Sequence, residues 1–204
     1  PESVVPLDPS QAGEDLCYAI PAWGLSLRFG PVDFIQVHPE VNLRMIDQAI
    51  ELLEPVATDR VLDLYCGMGN FTLPLAKRAG EVTGIEGARP AIERARQNAA
   101  AAGLTNTRFI EADLGGAGAE GAWTREAFDL ALLDPPRTGA AELLPVLAGV
   151  GARRIVYVSC HPGTLARDAG LLVAAHGYRL EAAGAMDMFP QTSHVESMAL
   201  FVKK

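Results

Sequence analysis

One cysteine in this sequence stands where covalent chemistry is feasible. Residues 155–158 are apolar and predict a buried strand, which Pro162 and Gly163 end before a helical pattern that begins near Thr164. Open α/β sheets bind ligands at the carboxyl ends of their strands. Cys160 follows this strand directly and is a candidate nucleophile, although free cysteine is also one of the residues most often buried as plain packing.

Four acidic side chains stand at or near the ends of other predicted strands. They are Asp63, Glu86, Asp113 and Asp134. Each alone could be solvated or could cap a helix, but in a parallel sheet the four would meet at one edge. Glu86 could accept hydrogen bonds from both hydroxyls of a ribose, and Asp113 could bind an adenine amino group. These acceptors suit a cationic ligand with hydroxyls and an amine, and S-adenosylmethionine fits that description.

A Gly-x-Gly turn joins the first of these strands to a helix. Gly67 and Gly69 let the backbone approach a ligand and adopt positive φ. A dinucleotide-binding fingerprint would have a third glycine where this chain has Thr72. The turn therefore favours a nucleoside ligand over NAD, although a strand–helix turn without any ligand is also compatible with the pattern.

Strands and helices alternate from residue 60 onward, which predicts an α/β fold. The expected architecture is a mostly parallel, doubly wound, Rossmann-like sheet, closed by an antiparallel hairpin at residues 178–183 and 197–202. Residues 1–54 are expected to form an N-terminal extension with short strands and one helix, packed on a catalytic domain of residues 55–204. The parallel strands are predicted at 60–64, 81–86, 107–110, 128–133 and 155–158, and the helices between them at 73–78, 90–102, 141–147 and 164–175.

Composition limits the possible partners. The 204-residue chain carries a net charge of −8, which argues against avid nucleic-acid binding by this segment alone. No apolar run reaches the roughly 18 residues of a membrane span. The cysteines (Cys17, Cys66, Cys160) and the four histidines are dispersed, so we expect no metal and a reducing, cytoplasmic compartment.

Four segments resemble the motifs of RNA uracil-5 methyltransferases, most closely the bacterial 23S ribosomal RNA enzymes. They read DLYCGMGNFTLP at 63–74, DPPRTG at 134–139, YVSCHPGTLARD at 157–168 and MFPQTSHVE at 188–196. The resemblance runs in the expected order from about Gly24 to the last residue. It implies a Rossmann-like class I methyltransferase fold and an enzyme that methylates C5 of uridine, with RNA held mainly by a region absent from this chain. We also expect a monomer, although the sequence itself leaves the oligomeric state open.

The resemblance also implies roles for individual residues. Cys160 would be the nucleophile and Glu196 the base, while on residue chemistry alone His194 ranks equal to Glu196. Gln36 and Arg137 would contact the uridine, and Phe189 could stack on a flipped-out base, although core packing is its alternative. S-adenosylmethionine would be held by Gln36, Tyr65, Gly67, Asn70, Glu86, Asp113 and Asp134.

The chemistry explains why a cysteine and a base are both needed. C5 of uracil is a poor nucleophile, so a thiolate must first add to C6, and a base must later remove the C5 proton. The pKa of Cys160 would have to fall from roughly 8.5, and Arg137 or the helix near Thr164 could lower it. His161 is expected to point to the opposite face.

Three other functions share some of these features. They are a transfer RNA uridine-C5 methyltransferase, a cytosine-C5 RNA methyltransferase and a non-catalytic RNA-binding module. Cytosine-C5 enzymes carry a Pro-Cys pair that this chain lacks, and a decayed module would not be expected to keep both Cys160 and Glu196. His38 stands where the family pattern has Asn, and either helix capping or substrate contact could explain it.

Overall fold

A mixed seven-stranded sheet forms the centre of the molecule. The computed structural model describes residues 7–8, 16–115 and 121–204. The sheet has the order β5-β4-β3-β6-β7-β9-β8, in which β3 to β7 are parallel and β9 is antiparallel to both β7 and β8. The strands are β1 Leu16–Ile20, β2 Leu25–Phe29, β3 Arg60–Leu64, β4 Glu81–Glu86, β5 Thr107–Glu111, β6 Leu130–Leu133, β7 Arg154–Ser159, β8 Tyr178–Met186 and β9 Glu196–Lys203. This arrangement confirms the predicted fold class, including the C-terminal hairpin.

Helices cover both faces of the sheet. They are α1 Pro39–Leu53, α2 Thr72–Ala76, α3 Arg89–Ala101, α4 Leu144–Gly149 and α5 Pro162–Ala175. Alternate residues of β7 enter different cores: Val156 and Val158 pack with α1 to α3, whereas Ile155 and Tyr157 pack with α4 and α5. Burial on both faces explains why the central strands are continuously apolar rather than alternating.

The segment before β3 packs against the sheet and α3. The β1–β2 hairpin is held by the Asn98 side chain, which accepts from Arg28 N at 2.9 Å and donates to Arg28 O at 3.1 Å. Helix α1 buries Met45, Ile46 and Leu53 in the same core as the parallel strands. The division at residues 54 and 55 remains a prediction, and residues 1–6 and 9–15 of the predicted extension lie outside the described part.

Two predicted helices, those at 164–175 and 141–147, differ from the structure by a few residues at their ends. Pro162 and Gly163 do not merely end β7, because they form the first turn of α5. Proline suits this position because its fixed φ matches the helix and the missing N–H would have no partner there. The predicted helix at 141–147 is a short 3₁₀ turn at Ala141–Leu143 followed by α4. Among the described residues, none of the helices has the length and apolarity needed to cross a membrane.

Candidate active site

The strand order places a crevice above the middle of the sheet. β3 lies between β4 and β6, so the chain winds outward in opposite directions from the β3–β6 pair. Such a switch point leaves a crevice at the carboxyl ends of the strands, where doubly wound folds bind ligands. Asp134 immediately follows β6, and its backbone N–H donates to Leu64 O at 3.3 Å. Asp134 therefore stands at the switch point.

The turn after β3 is shaped by left-handed backbone. Tyr65, Gly67 and Gly69 have φ of 63°, 52° and 100°. The φ of Gly69 lies in a region that L side chains rarely adopt, and a Cβ there would also meet the side chain of Leu73, so glycine suits this position. The N–H of Gly67 donates to Glu86 Oε2 at 3.2 Å, which ties this turn to the end of β4.

A cleft of about 880 Å³ lies beside this turn. Tyr65, Glu86 and Asp113 line it, together with Arg167 and the residues around Gly139. The Tyr65 hydroxyl donates to Leu114 O at 3.2 Å, and Asp113 is exposed. Three of the residues expected to hold the cofactor are thus brought into one acceptor-rich cleft.

The remaining predicted cofactor residues lie outside the lining of this cleft. Gln36 Nε2 donates to Asp134 Oδ2 at 3.3 Å, so these two residues form a pair. The Asn70 side chain is turned elsewhere: its oxygen accepts from the Tyr18 hydroxyl at 2.8 Å, and its nitrogen donates to Asn42 Oδ1 at 2.9 Å. Asn70 therefore links the β1–β2 hairpin to α1, and its contact with a cofactor stays a prediction.

Cys160 and Glu196 face each other across neighbouring strands. The antiparallel register pairs Ser159 with Ser197, and Cys160 and Glu196 are the residues next to this pair on the two chain segments. A further hydrogen bond from Ser197 Oγ to Ser159 O, at 2.9 Å, holds this end of the ladder. The charge of Glu196 acts on the Cys160 thiol, so the two side chains lie close together. Two residues from distant parts of the sequence therefore form one site.

Three carboxyl groups share this part of the molecule, and burial raises the pKa of each. The pKa of Glu196 rises to about 8, first by burial and then by the negative charge of Asp134. The pKa of Asp134 rises to about 7 by burial, against the hydrogen bond from Gln36. Asp63 also reaches a pKa of about 7 by burial, although the Thr72 hydroxyl donates to it. Glu196 Oε1 and Asp63 Oδ1 are buried without a hydrogen-bond partner among the described residues.

The electrostatics at Cys160 differ from the expectation. Burial raises the pKa of the Cys160 thiol, and the charges of Glu196 and Asp134 raise it further. The charge of Arg137 acts in the expected direction, but it is outweighed. The protein alone therefore disfavours the thiolate, because burial and the acidic neighbours both raise the pKa of the thiol.

Helix α5 fixes the loop between β6 and α4. The Asp168 carboxylate is fully buried and accepts from Ala140 N at 2.8 Å and from the Tyr157 hydroxyl at 2.6 Å. Arg167 bonds the other oxygen of Asp168 and also donates to Thr138 O at 2.9 Å. Asp168 was not among the residues predicted from the sequence, although a charged residue on the apolar face of a predicted helix was a usable signal.

Two of the histidines cap helices. His161 caps α5, accepting from Thr164 N at 3.2 Å, and His38 caps α1, accepting from Val41 N at 3.5 Å. His161 is thus no partner of the Cys160 thiol, as expected. Phe189 is partly buried and packs on the core below α1 to α3, and its ring also meets the ring of His194.

The comparisons with known proteins agree with this geometry. A family model described as "tRNA (Uracil-5-)-methyltransferase" matches residues 23–115 and 121–204, which is most of the chain. The chain belongs to this family.

Curated relatives and solved structures support the assignment. Proteins called 23S rRNA (uracil(1939)-C(5))-methyltransferase RlmD are 56% identical over 203 residues in Alkalilimnicola ehrlichii and 54% identical over 200 residues in Methylococcus capsulatus. They cover 100% and 98% of this chain, which spans only 46% and 45% of them. The Pyrococcus abyssi tRNA (uracil-54, C5)-methyltransferase, solved with S-adenosyl-L-homocysteine, aligns with a TM-score of 0.79 at 32% identity, covering 94% of this chain and 45% of that one.

A fold match reaches beyond the uracil-5 methyltransferase family. TYW2 of M. jannaschii aligns with a TM-score of 0.67 at 16% identity, covering 93% of this chain and 87% of that chain. At this identity the match shows a common fold only. The sheet described above is therefore shared with this protein at the level of fold.

The raised pKa of Glu196 predicts a pH-dependent cost to stability. The folded-state pKa of about 8 exceeds the ordinary 4.5, so wild type is most stable relative to Glu196→Gln below pH 4.5 and loses that advantage as pH rises to about 8. We subtract the free energy of unfolding of wild type from that of Glu196→Gln. This difference should increase by about 1–3 kcal/mol between pH 4.5 and pH 8. Urea unfolding at both ends of the window measures it.

The control for this measurement is Glu51→Gln, a change of an exposed carboxylate on α1. Its difference from wild type should stay constant with pH. A constant difference for Glu196→Gln as well would contradict the burial argument.

Proposed function

We propose that this chain is the catalytic part of an enzyme that transfers a methyl group from S-adenosylmethionine to C5 of a uridine in 23S ribosomal RNA. The observation that carries the proposal is that Cys160 and Glu196 lie next to the Ser159–Ser197 pair of β7 and β9, where the charge of Glu196 acts on the thiol. A nucleophile and a base on opposite strands can act on adjacent atoms of one pyrimidine ring. A thiol with an acid alone would not specify this reaction, but the acceptor-rich cleft beside them supplies a place for the methyl donor.

The residues present fit S-adenosylmethionine. Glu86 and Asp113 offer acceptors for ribose hydroxyls and an adenine amino group. Asp63 and Glu196 each carry a buried oxygen without a hydrogen-bond partner in the described structure. The negative charge of Asp134 raises the pKa of both. Such oxygens favour a neighbouring cation. When bound, the cofactor supplies an electrophilic methyl group.

In the first step Cys160 adds to the uridine. The partly exposed thiol loses its proton to solvent, and its sulfur forms a bond to C6. The electron pair of the C5–C6 double bond moves toward O4, which makes C5 nucleophilic. C5 would then take the methyl group, and the electron pair of the broken methyl–sulfur bond would stay on the donor's sulfur, so that S-adenosylhomocysteine leaves.

In the second step Glu196 restores the aromatic ring. Its carboxylate takes the proton from C5, the electron pair left behind re-forms the C5–C6 double bond, and the C6–S bond breaks to release the Cys160 thiolate. Glu196 must be ionised for this step. Since the charge of Asp134 helps to raise the pKa of Glu196, a cation beside Asp134 would oppose that effect and favour the ionised base.

Other residues would orient the uracil ring. Gln36 has both a donor and an acceptor, and its contact with Asp134 places it near the site. Arg137 is exposed beside the cysteine and can contact the uridine or its phosphate, and Phe189 offers a ring face for stacking. Asn70 remains a proposed cofactor contact that would require its amide to leave Tyr18 and Asn42.

The choice of RNA rests on the relatives. The matching family model is described for tRNA, and so is the Pyrococcus enzyme, whereas the relatives at 56% and 54% identity are 23S rRNA enzymes. The higher identity favours 23S RNA, with transfer RNA as the alternative. The chain spans about half the length of those relatives, and its charge of −8 suits RNA binding mainly by other parts of the protein. We propose a monomer that acts in the cytoplasm.

Methyl transfer from labelled S-adenosylmethionine tests the function directly. The protein is incubated with unmodified 23S and transfer RNA transcripts, and the RNA is digested to nucleosides for mass spectrometry. We expect 5-methyluridine in the 23S transcript. Label in 5-methylcytidine, in the ribose or in no nucleoside would contradict the proposal, and label in transfer RNA alone would favour the alternative.

A further inference from the structure

The turn between β8 and β9 carries a histidine that the proposed reaction does not use. The ring of His194 meets the ring of Phe189 nearly edge-on, with 5.9 Å between centroids and 74° between planes. The N–H of His194 donates to Thr192 Oγ1 at 3.2 Å, and the Thr192 hydroxyl donates to Phe189 O at 2.7 Å. The imidazole is therefore held in place although it lies on the surface.

This imidazole contacts the arginine of the neighbouring loop. Arg137 Nη1 lies 3.0 Å from His194 Nδ1. A guanidinium has only donors, so Nδ1 must be the acceptor and the neutral ring must carry its proton on Nε2. The contact thus selects one tautomer of His194.

The backbone of Arg137 is held separately from its side chain. Its carbonyl oxygen accepts from Thr164 Oγ1 at 3.2 Å, and the next carbonyl, that of Thr138, accepts from Arg167. Helix α5 therefore fixes the position of the Arg137 backbone. His194 fixes where its guanidinium ends, because a free arginine side chain in water would sample many rotamers.

The direction of the guanidinium matters for Cys160. The charged groups that act on this thiol are Glu196 of β9 and Asp134 and Arg137 of the loop after β6. Of these, Arg137 alone favours the thiolate. A guanidinium that swings away into solvent would leave the two carboxylates unopposed.

We propose that His194 is a positioning residue, which accepts a hydrogen bond from Arg137 and thereby keeps the guanidinium beside Cys160. The proposal deepens the proposed function and rests on it only for the use made of the thiolate. The contact itself predicts a property of Cys160 that can be measured without RNA and without a methyl donor.

Alkylation of Cys160 by iodoacetamide, followed by peptide mass spectrometry, measures this property. Near neutral pH we expect His194→Leu to slow alkylation roughly threefold, since only the thiolate reacts and an exposed charge has a modest effect. His194→Asn should react like wild type, because its Oδ1 can accept where Nδ1 did. Following the modified peptide separates Cys160 from the exposed Cys17.

A double variant shows whether His194 acts through Arg137. Arg137→Gln should slow alkylation at least as much as His194→Leu, and adding His194→Leu to Arg137→Gln should slow it no further. The proposal would be overturned if His194→Leu were alkylated at the wild-type rate, or if His194→Leu slowed alkylation equally in the wild-type and Arg137→Gln backgrounds. It would also be overturned if His194→Asn were alkylated as slowly as His194→Leu. Circular dichroism confirms folding, and His194→Ala repeats the test if leucine disturbs the turn. If the alkylation rates follow the expected pattern but no RNA is methylated, only the proposed function is rejected, and the positioning role of His194 stands.

Discussion

Replacement of Cys160 by alanine should abolish methyl transfer to RNA, with a loss of at least about a thousandfold in rate. Cys160 directly follows β7 and lies near Glu196, the first residue of β9. Without its sulfur no bond to C6 can form, and C5 stays too poor a nucleophile to accept the methyl group. Transfer of label from S-adenosylmethionine to RNA, under single-turnover conditions, measures the loss.

The chain offers a matched control for this variant. Cys17 is exposed on β1, away from the switch point, so Cys17→Ser should leave the rate unchanged. Cys160→Ala should still bind S-adenosylmethionine, because the cleft residues Tyr65, Glu86 and Asp113 are untouched. Retention of more than about a tenth of the activity would be too much for a variant lacking an obligatory nucleophile.

Glu196→Gln should trap the reaction rather than prevent it. Cys160 can still add to C6 and C5 can still take the methyl group, but a neutral amide does not remove the C5 proton. Turnover should fall by about a hundred- to ten-thousandfold, while methylated RNA bound covalently to the protein accumulates. A denaturing gel with labelled RNA detects the bound species.

Two comparisons make this result specific. Glu51→Gln, which changes an exposed carboxylate of α1, should turn over like wild type and leave no bound RNA. The double variant Cys160→Ala with Glu196→Gln should also leave none, because it lacks the sulfur. Loss of turnover in Glu196→Gln without any bound RNA would assign Glu196 to an earlier step than proton removal.

The order of elements could be predicted because local patterns determine it. Continuous apolar runs identified the buried parallel strands, and glycine with proline marked their ends, so these patterns alone were enough to locate the carboxyl edge of the sheet. The proximity of Cys160 and Glu196 depends on the register of β7 and β9, which no local pattern encodes. The sequence predicts their roles as nucleophile and base only through motif resemblance, and it does not predict their proximity.

The features that could not be predicted depend on long-range contacts. Asn70 lies in the glycine turn, yet its amide is taken by Tyr18, which is 52 residues away in sequence. The raised pKa of Cys160 follows first from burial and then from the charges of Glu196 and Asp134, whereas the sequence suggests only its cationic neighbours. The capping role of His161 depends on how Pro162 begins α5, two residues before the predicted start at Thr164.

The covalent step at Cys160 is tested most directly with 5-fluorouridine in the RNA. Fluorine at C5 leaves no proton for Glu196 to remove, so the thioether at C6 should persist through denaturation. With S-adenosylmethionine present, we predict a stable protein–RNA adduct whose digest yields a modified peptide containing Cys160, and no adduct from Cys160→Ala. Wild type without an adduct, or an adduct mapped to Cys17 or Cys66, would contradict the mechanism.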